Sequence, residues 1–233
     1  VSVNLATSAM TGGDAQGDVV SEFEQVRGSA FADTILGDAA ANVIEGGAGA
    51  DRLSGGGGID TLDYSRSAAL VRVNLQTGLG LGGDAQGDVV DGFEIVLGSV
   101  FADVLIGDGA ANLLIGGQGS DTLDGGGGVD TAGYGASAEA VSVDLLTGQG
   151  QGGHAAGDTL VRIENLVGSH FDDTLVGDAA ANQLDGGDGA DVLWGRGGAD
   201  SLLGGLGDDR LVGGAGNDWI DGGEGHDVAV VTF

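Results

Sequence analysis

A nine-residue repeat constrains this chain more than any other feature of its sequence. Counted from Gly28, Gly98 and Gly168, the chain divides into runs of four, four and seven consecutive nonapeptides. Position 1 is glycine in all fifteen, position 6 is aspartate in twelve and asparagine in three, and position 8 is leucine or isoleucine in thirteen. The two exceptions at position 8, Ala132 and Ala229, each end a run. This period implies one structural unit for every nine residues.

Each nonapeptide has the pattern of a very short strand followed by a turn. Positions 7 to 9 alternate outward, inward and outward, as in Arg52-Leu53-Ser54. Positions 1 to 6 form the turn, where glycine permits positive φ and close backbone approach. Because so short a strand is not stable alone, we predict an all-β fold: a parallel β-roll, or β-solenoid, of about 18 residues per coil. The absence of proline agrees with strands that need every N–H.

A second period of 70 residues organises the nonapeptide runs. VNL at 3–5 and 73–75 returns as VDL at 143–145, and GGDAQGD at 12–18 and 82–88 returns as GGHAAGD at 152–158. We therefore predict three units, 1–70, 71–140 and 141–233, with their nonapeptides at 28–63, 98–133 and 168–230.

The stretches 64–97 and 134–167 between the runs lack the nine-residue period, and we expect them to form irregular coils. Tyr64 and Tyr134 match each other at the run ends and are interpreted as packing or cap residues. Five acids in the glycine-rich turns fit either further ion binding or plain solvation: Asp14, Asp18, Asp84, Asp88 and Asp158.

The composition supports a folded core and narrows the partners. The chain is 41% hydrophobic, yet 52 of its 233 residues are glycine and it has no cysteine, which rules out disulfides. Its 36 acids and seven arginines give a net charge of −29, which repels nucleic acid and anionic membrane surfaces and attracts cations. No apolar run is long enough for a membrane span. The pattern is already under way at Val1, so we interpret the chain as part of a larger protein.

The acids at position 6 require a cation in such a fold. Turns two apart would stack on the same edge and bring carboxylates 18 residues apart within a few ångströms, which is unfavourable without compensation. Carboxylates together with backbone carbonyls form an all-oxygen donor set, which suits Ca²⁺. Mg²⁺ fits a flexible turn less well, and the usual Cys and His ligands of Zn²⁺ are missing.

Several nonapeptides also resemble a known repeat family. GGAGADRL, GGQGSDTL, GGLGDDRL and GGAGNDWI match the calcium-binding motif G-G-x-G-x-D-x-U-x of the RTX, or repeats-in-toxin, proteins. The stretch 163–191 resembles the C-terminal β-roll of serralysin-type proteases, RTX lipases, alginate epimerase R-modules and RTX adhesins. The resemblance covers nearly the whole chain.

The resemblance implies a ligand set for nine or more calcium ions. The carbonyls at positions 2 and 4 and the acid of one turn would share an ion with the carbonyls at positions 1 and 3 and the acid of the turn two along. The implied pairs are Asp33/Asp51, Asn42/Asp60, Asp103/Asp121, Asn112/Asp130, Asp173/Asp191, Asn182/Asp200, Asp191/Asp209, Asp200/Asp218 and Asp209/Asp227. The implied backbone ligands are Gly46, Gly47, Ala48, Gly49, Gly116, Gly117, Gly119, Gly186, Gly187, Gly189, Gly195, Gly198, Gly204, Gly205, Gly207, Gly213, Gly214 and Gly216.

The first two turns of each run depart from this motif. The first has phenylalanine at position 4, and the second has an asparagine ligand, so both are expected to bind more weakly or to use Asp38, Asp108 and Asp178. Nine residues before the first aspartate of each run stands a glutamate in the ligand register, without glycines around it. These further candidate ligands are Glu24, Glu94 and Glu164, and the alternative is that they bind nothing.

We predict a calcium-binding RTX β-roll module of a secreted, extracellular protein, whose calcium-triggered folding and stabilisation supports type I secretion. The module itself is expected not to be an enzyme, since its three histidines are scattered and no catalytic motif is present. Two alternatives stay open. One is a module that binds a polysaccharide or cell surface, with Trp194 and Trp219 as candidate contacts, and the other is the C-terminal fragment of an RTX hydrolase. The final DVAVVTF fits both a type I export signal and a last strand.

Overall fold

A computed structural model describes residues 1–230, which form short β-strands and three single-turn 3₁₀ helices, Gly13–Ala15, Gly83–Ala85 and Gly153–Ala155. The first unit contains β1 (Ser2–Asn4), β2 (Ala9–Thr11), β3 (Gln25–Arg27), β4 (Thr34–Leu36), β5 (Val43–Glu45), β6 (Arg52–Ser54) and β7 (Thr61–Asp63). The second contains β8 (Arg72–Asn74), β9 (Leu79–Leu81), β10 (Val89–Asp91), β11 (Ile95–Leu97), β12 (Val104–Ile106), β13 (Leu113–Ile115), β14 (Thr122–Asp124) and β15 (Thr131–Gly133). The third contains β16 (Ser142–Asp144), β17 (Gln149–Gln151), β18 (Thr159–Val161), β19 (Asn165–Val167), β20 (Thr174–Val176), β21 (Gln183–Asp188), β22 (Val192–Gly197), β23 (Ser201–Leu206), β24 (Arg210–Ala215), β25 (Trp219–Glu224) and β26 (Val228–Val230).

Within the runs, successive strands alternate between two sheets, one of 16 strands and one of 10. Each strand pairs in parallel with the strand 18 residues along, so that Thr34 faces Arg52 in one sheet and Val43 faces Thr61 in the other. Every three-residue strand of a run falls on positions 7 to 9 of its nonapeptide. The parallel β-roll predicted from the period is confirmed.

The position-8 side chains form the core between the two sheets. Ile44, Leu62, Leu114 and Leu184 have no exposed surface. Burying such a side chain contributes about 1.5–3 kcal/mol, which short strands with few hydrogen bonds cannot supply themselves. Burial lapses only at the last coil, where Ala229 is exposed.

The stretches between runs form antiparallel meanders rather than the expected irregular coils. In the first, β8 pairs antiparallel with β9, and β9 pairs antiparallel with β10. The meander enters the larger sheet between two parallel neighbours, with β10 on β6 and β8 on β12. Short connections through Gly78 and the helix Gly83–Ala85 return the chain beside the strand it has just left, which gives antiparallel pairing. The stretch 134–167 repeats this arrangement with β16, β17 and β18.

The smaller sheet continues without interruption across each meander. β11 pairs directly with β7, and β19 pairs directly with β15. One stretch thus adds three strands to the larger sheet and one strand to the smaller sheet. Tyr64, Phe93 and Val71 fill the space beneath the first meander and are at most 3% exposed.

Candidate metal centres

The turns of the two edges stack so closely that position 1 has no room for a side chain. A Cβ built on Gly37 would overlap the carbonyl oxygen of Gly55, the position-1 residue of the next turn on that edge. It would also overlap Oδ1 of Asn42, the position-6 residue of its own turn. Glycine at position 1 therefore allows a backbone carbonyl and a position-6 side chain to converge on one point.

A backbone hydrogen bond connects each position-6 residue with the position-6 carboxylate 18 residues along. Asp33 N donates to Asp51 Oδ1 at 2.8 Å, and Asp191 N donates to Asp209 Oδ1 at 2.8 Å. The structure brings together all nine pairs predicted from the sequence in this way, across both edges and all three runs. Ion binding at each pair stays a prediction.

The second carboxylate oxygen of many of these aspartates is buried without a hydrogen-bond partner among residues 1–230. This holds for Oδ2 of Asp51, Asp60, Asp121, Asp191, Asp200 and Asp209. A buried carboxylate oxygen left unpaired costs on the order of 1–3 kcal/mol or more. Six repetitions of that cost at one structural position indicate a missing ligand, and a hard cation fits an oxygen with no donor near it.

The last two acids of the register, Asp218 and Asp227, require a correction. The repeat pattern treats them as ligands like all the others, but the structure gives them different surroundings. Asp200 N donates to Asp218 Oδ1 and Asp209 N donates to Asp227 Oδ1, each at 3.0 Å, so both predicted pairs form. However, Asp218 is only half-buried and Asp227 is exposed, because no further turn among residues 1–230 stacks on theirs. Neither is a buried acid that lacks a partner, so we expect weaker ion binding at these two pairs.

Backbone oxygens must supply much of any coordination shell here. Among the described residues, no three His, Cys, Asp or Glu side chains come together in a cluster. Two carboxylates plus several carbonyls suit Ca²⁺ and do not suit Zn²⁺.

Burial and mutual repulsion disturb the titration of these aspartates. Burial, together with the charges of Asp158 and Asp103, raises the pKa of Asp121 from 3.8 to about 7. Burial, with the charges of Asp173 and Asp209, likewise raises the pKa of Asp191 to about 7. Without a cation, these carboxylates therefore resist ionisation in the folded chain.

The first two turns of each run satisfy their own acids. Ser29 donates to Asp33 Oδ2 through both its backbone N at 2.6 Å and its hydroxyl at 2.9 Å. In the second turn, Asp38 N donates to Asn42 Oδ1 at 2.7 Å, while Asp38 Oδ1 accepts from Ala40 N at 2.9 Å. Asp108 and Asp178 make the same bonds in the other runs. These acids cap their own turns, so weaker ion binding there stays our prediction.

The acid register extends into the meanders, which the nine-residue period did not reveal. Asp51 N donates to Asp88 Oδ1 at 2.8 Å, and the hydroxyl of Tyr64 donates to Asp88 Oδ2 at 2.8 Å. Asp121, Asp158 and Tyr134 repeat this arrangement in the next unit. The 70-residue recurrence of both the tyrosine and the aspartate was the available signal. The other open candidates, Asp14 and Asp18, are exposed, and Asp84 is half-buried.

The three candidate glutamates differ in their surroundings. Glu94 Oε2 accepts a hydrogen bond from Asp60 N at 2.9 Å, and Glu164 Oε2 accepts one from Asp130 N at 2.9 Å. Glu24 belongs to the first coil and is exposed.

Other side chains singled out in the sequence do not converge on one site. Trp194 lies on β22 of the larger sheet and Trp219 on β25 of the smaller one, so the two do not share a face. His170 Nδ1 lies 2.9 Å from Asp188 Oδ2 at the surface. In the final DVAVVTF, Val228–Val230 pair with β24, and residues 231–233 lie outside the described part of the chain.

Comparison with known families agrees with this geometry. The sequence profile of the RTX calcium-binding nonapeptide repeat matches four times, at residues 27–62, 97–132, 167–202 and 194–229, which together exceed half of the chain. A search of curated proteins found no match. None of the helices within residues 1–230 has the length and apolar character needed to cross a membrane. The chain belongs to the family of RTX calcium-binding nonapeptide repeats, and it is a calcium-binding β-roll module.

Proposed function

We propose that this module folds when it binds calcium and thereby stabilises a secreted protein after type I export. The observation that carries the proposal is the set of buried aspartate oxygens without partners, Asp51, Asp60, Asp121, Asp191, Asp200 and Asp209, repeated along both edges of the roll. A chain with a net charge of −29 cannot stack these carboxylates cheaply on its own.

The mechanism couples the edges of the roll to its core. Bound calcium would supply positive charge between paired carboxylates, and nine ions would offset roughly eighteen negative charges. Each pair of turns then holds one coil on the next, which buries another two rungs of the leucine ladder. Metal-binding free energy therefore becomes folding free energy.

The proposal assigns the switch to the difference in calcium between compartments. Ligand sets of this open kind in extracellular modules have dissociation constants of about 10⁻⁴–10⁻³ M. At cytosolic calcium the chain would stay expanded and fit for export, and it would fold outside the cell. In this proposal the module has no catalytic role, and its partners are calcium and the other domains of a parent protein.

Far-UV circular dichroism of the full chain in chelator, titrated with Ca²⁺ and separately with Mg²⁺, tests the proposal. We expect a cooperative gain of β signal with Ca²⁺ near millimolar concentration and little response to Mg²⁺. Replacing Asp200 with Asn should move the Ca²⁺ midpoint upward, because one carboxylate ligand is lost. A chain that is already folded in chelator and unchanged by calcium would contradict the proposal.

A further inference from the structure

The turn that precedes β11 is shorter than a nonapeptide turn, yet it ends in register with one. β11 begins at Ile95, which faces Thr61 of β7. Glu94 therefore stands directly above Asp60, in the position-6 register of the next coil. In the second unit, Asn165 faces Thr131, which places Glu164 above Asp130.

The extra methylene of glutamate compensates for the shorter turn. Glu94 Oε2 accepts the hydrogen bond from Asp60 N at 2.9 Å, which is the bond that an aspartate Oδ1 accepts elsewhere in the register. Glu164 does the same for Asp130 at 2.9 Å. Both glutamates thus bring a carboxylate to the place that a regular nonapeptide fills with aspartate.

A backbone carbonyl also occupies its regular place at each junction. A Cβ built on Gly55 would overlap Gly92 O and would lie 2.7 Å from Asp60 Oδ2. A Cβ built on Gly125 would overlap Arg162 O and would lie 2.6 Å from Asp130 Oδ2. In the nonapeptide pair below, a Cβ on Gly28 meets the same two groups, a carbonyl of the next turn and its own aspartate. Each junction therefore reproduces the converging oxygens of a regular pair.

The junction carries an unpaired charge that needs a ligand. Asp60 is 1% exposed, and its Oδ2 has no hydrogen-bond partner among residues 1–230. The guanidinium of Arg162 does not neutralise Glu164, because it binds both carboxylate oxygens of Asp124, at 2.8 and 2.7 Å.

We propose that Glu94 with Asp60, and Glu164 with Asp130, each complete a further calcium site at the junction of a nonapeptide run with the following meander. This inference rests on the proposed calcium dependence and adds two sites to the nine pairs within the runs. The column of ions then continues across both meanders on this edge. On the other edge, the tyrosine hydroxyls at Asp88 and Asp158 take the place where a cation would otherwise bind.

The number of bound ions tests the proposal directly. Calcium per chain would be measured by equilibrium dialysis and elemental analysis, on full-length protein at saturating Ca²⁺ and physiological ionic strength. Glu94→Gln and Glu164→Gln should each bind one ion fewer than the wild type. Glutamine keeps an acceptor for the Asp60 or Asp130 N–H, so each variant should retain the wild-type β signal.

Glu24→Gln is the matched control, since Glu24 holds the same sequence position in the first coil without a nonapeptide turn before it. It should bind as many ions as the wild type. An unchanged ion count in Glu94→Gln and Glu164→Gln, in a wild type that binds calcium, would overturn this inference alone. A wild type that binds no calcium would overturn the proposed function as well.

Discussion

At the scale of single residues, the three glycines that follow one another in a turn have different duties. Gly56, at position 2, has φ +103°, and a Cβ there would overlap the carbonyl oxygen of Asp38 in the turn below. Gly57, at position 3, has an ordinary φ, and a Cβ there would come no closer than 3.9 Å to Ala39. Arg196 shows the strain at position 2, because it takes φ +73° and is held by two bonds to Asp144, at 2.9 and 2.8 Å.

We expect Gly56→Ala to destabilise the calcium-bound fold by roughly 1–3 kcal/mol, since alanine must adopt a left-handed backbone and displace a neighbouring carbonyl. Gly57→Ala is the adjacent control and should change stability by less than about 0.5 kcal/mol. Denaturant unfolding at saturating calcium measures both variants. Equal losses in the two variants would show that glycine acts here through chain entropy alone.

At the scale of elements, each meander ends one column of acids with a tyrosine. Tyr64 is 2% exposed, and its hydroxyl donates to the buried carboxylate of Asp88. Burial, the charge of Asp88 and this hydrogen bond raise the pKa of Tyr64 well above its usual range, so the phenol remains a donor. The junction between units is therefore held by a neutral donor that requires no ion.

Tyr64→Phe should cost about 1–3 kcal/mol, because it leaves a buried carboxylate oxygen without its donor. Tyr134→Phe removes the equivalent bond to Asp158 and should behave alike. The loss should be independent of calcium concentration above saturation, and it should shrink when Asp88 is replaced by Asn, which has no charge to strand. A double-mutant cycle of Tyr64→Phe and Asp88→Asn measures the coupling, and a coupling near zero would refute this role.

At the scale of the whole molecule, acids line the edges and leucines fill the centre, so charge and burial change together. Burial raises the pKa of Asp121 and Asp191 to about 7, and that of Asp51 and Asp130 to about 6, from an ordinary value of 3.8. Between these limits the metal-free folded state holds more protons than the unfolded chain. Its stability is therefore present at acid pH and is lost as the pH rises from about 4 to about 7.

In chelator, we expect more folded chain at about pH 5 than at about pH 7.5, which is the reverse of the usual behaviour of salt-bridged carboxylates. Calcium affinity should change in the opposite direction and rise with pH, because protons compete for the same oxygens. Circular dichroism with urea unfolding, at each pH and with or without calcium, separates the two trends. A metal-free fold that gains stability towards neutral pH would contradict the burial of these acids.

The nine-residue period alone was enough to predict the repeating part of this molecule. It places one apolar side chain inward per strand, as at Leu114, and one acid per turn, as at Asp121. Identical coils bury a ladder only when they stack in register, so the spacing within one nonapeptide also determined which acids meet 18 residues apart. The nine pairs therefore followed from local pattern without any knowledge of long-range contacts. The period could not distinguish Asp227 from Asp121, because the exposure of an acid depends on whether another coil covers it.

The meanders could be predicted only as interruptions, and the tertiary structure decided their path. Asp88 meets Asp51 across 37 residues and Glu94 meets Asp60 across 34, separations that no period in the chain contains. Those contacts depend on where an antiparallel strand lands, between β6 and β12 of the larger sheet, while β11 rests directly on β7 in the smaller sheet. Strand pairing of this kind is set by backbone hydrogen bonds and by space in the core. Neither is written in local spacing, so the ends of the acid columns emerge only from the fold.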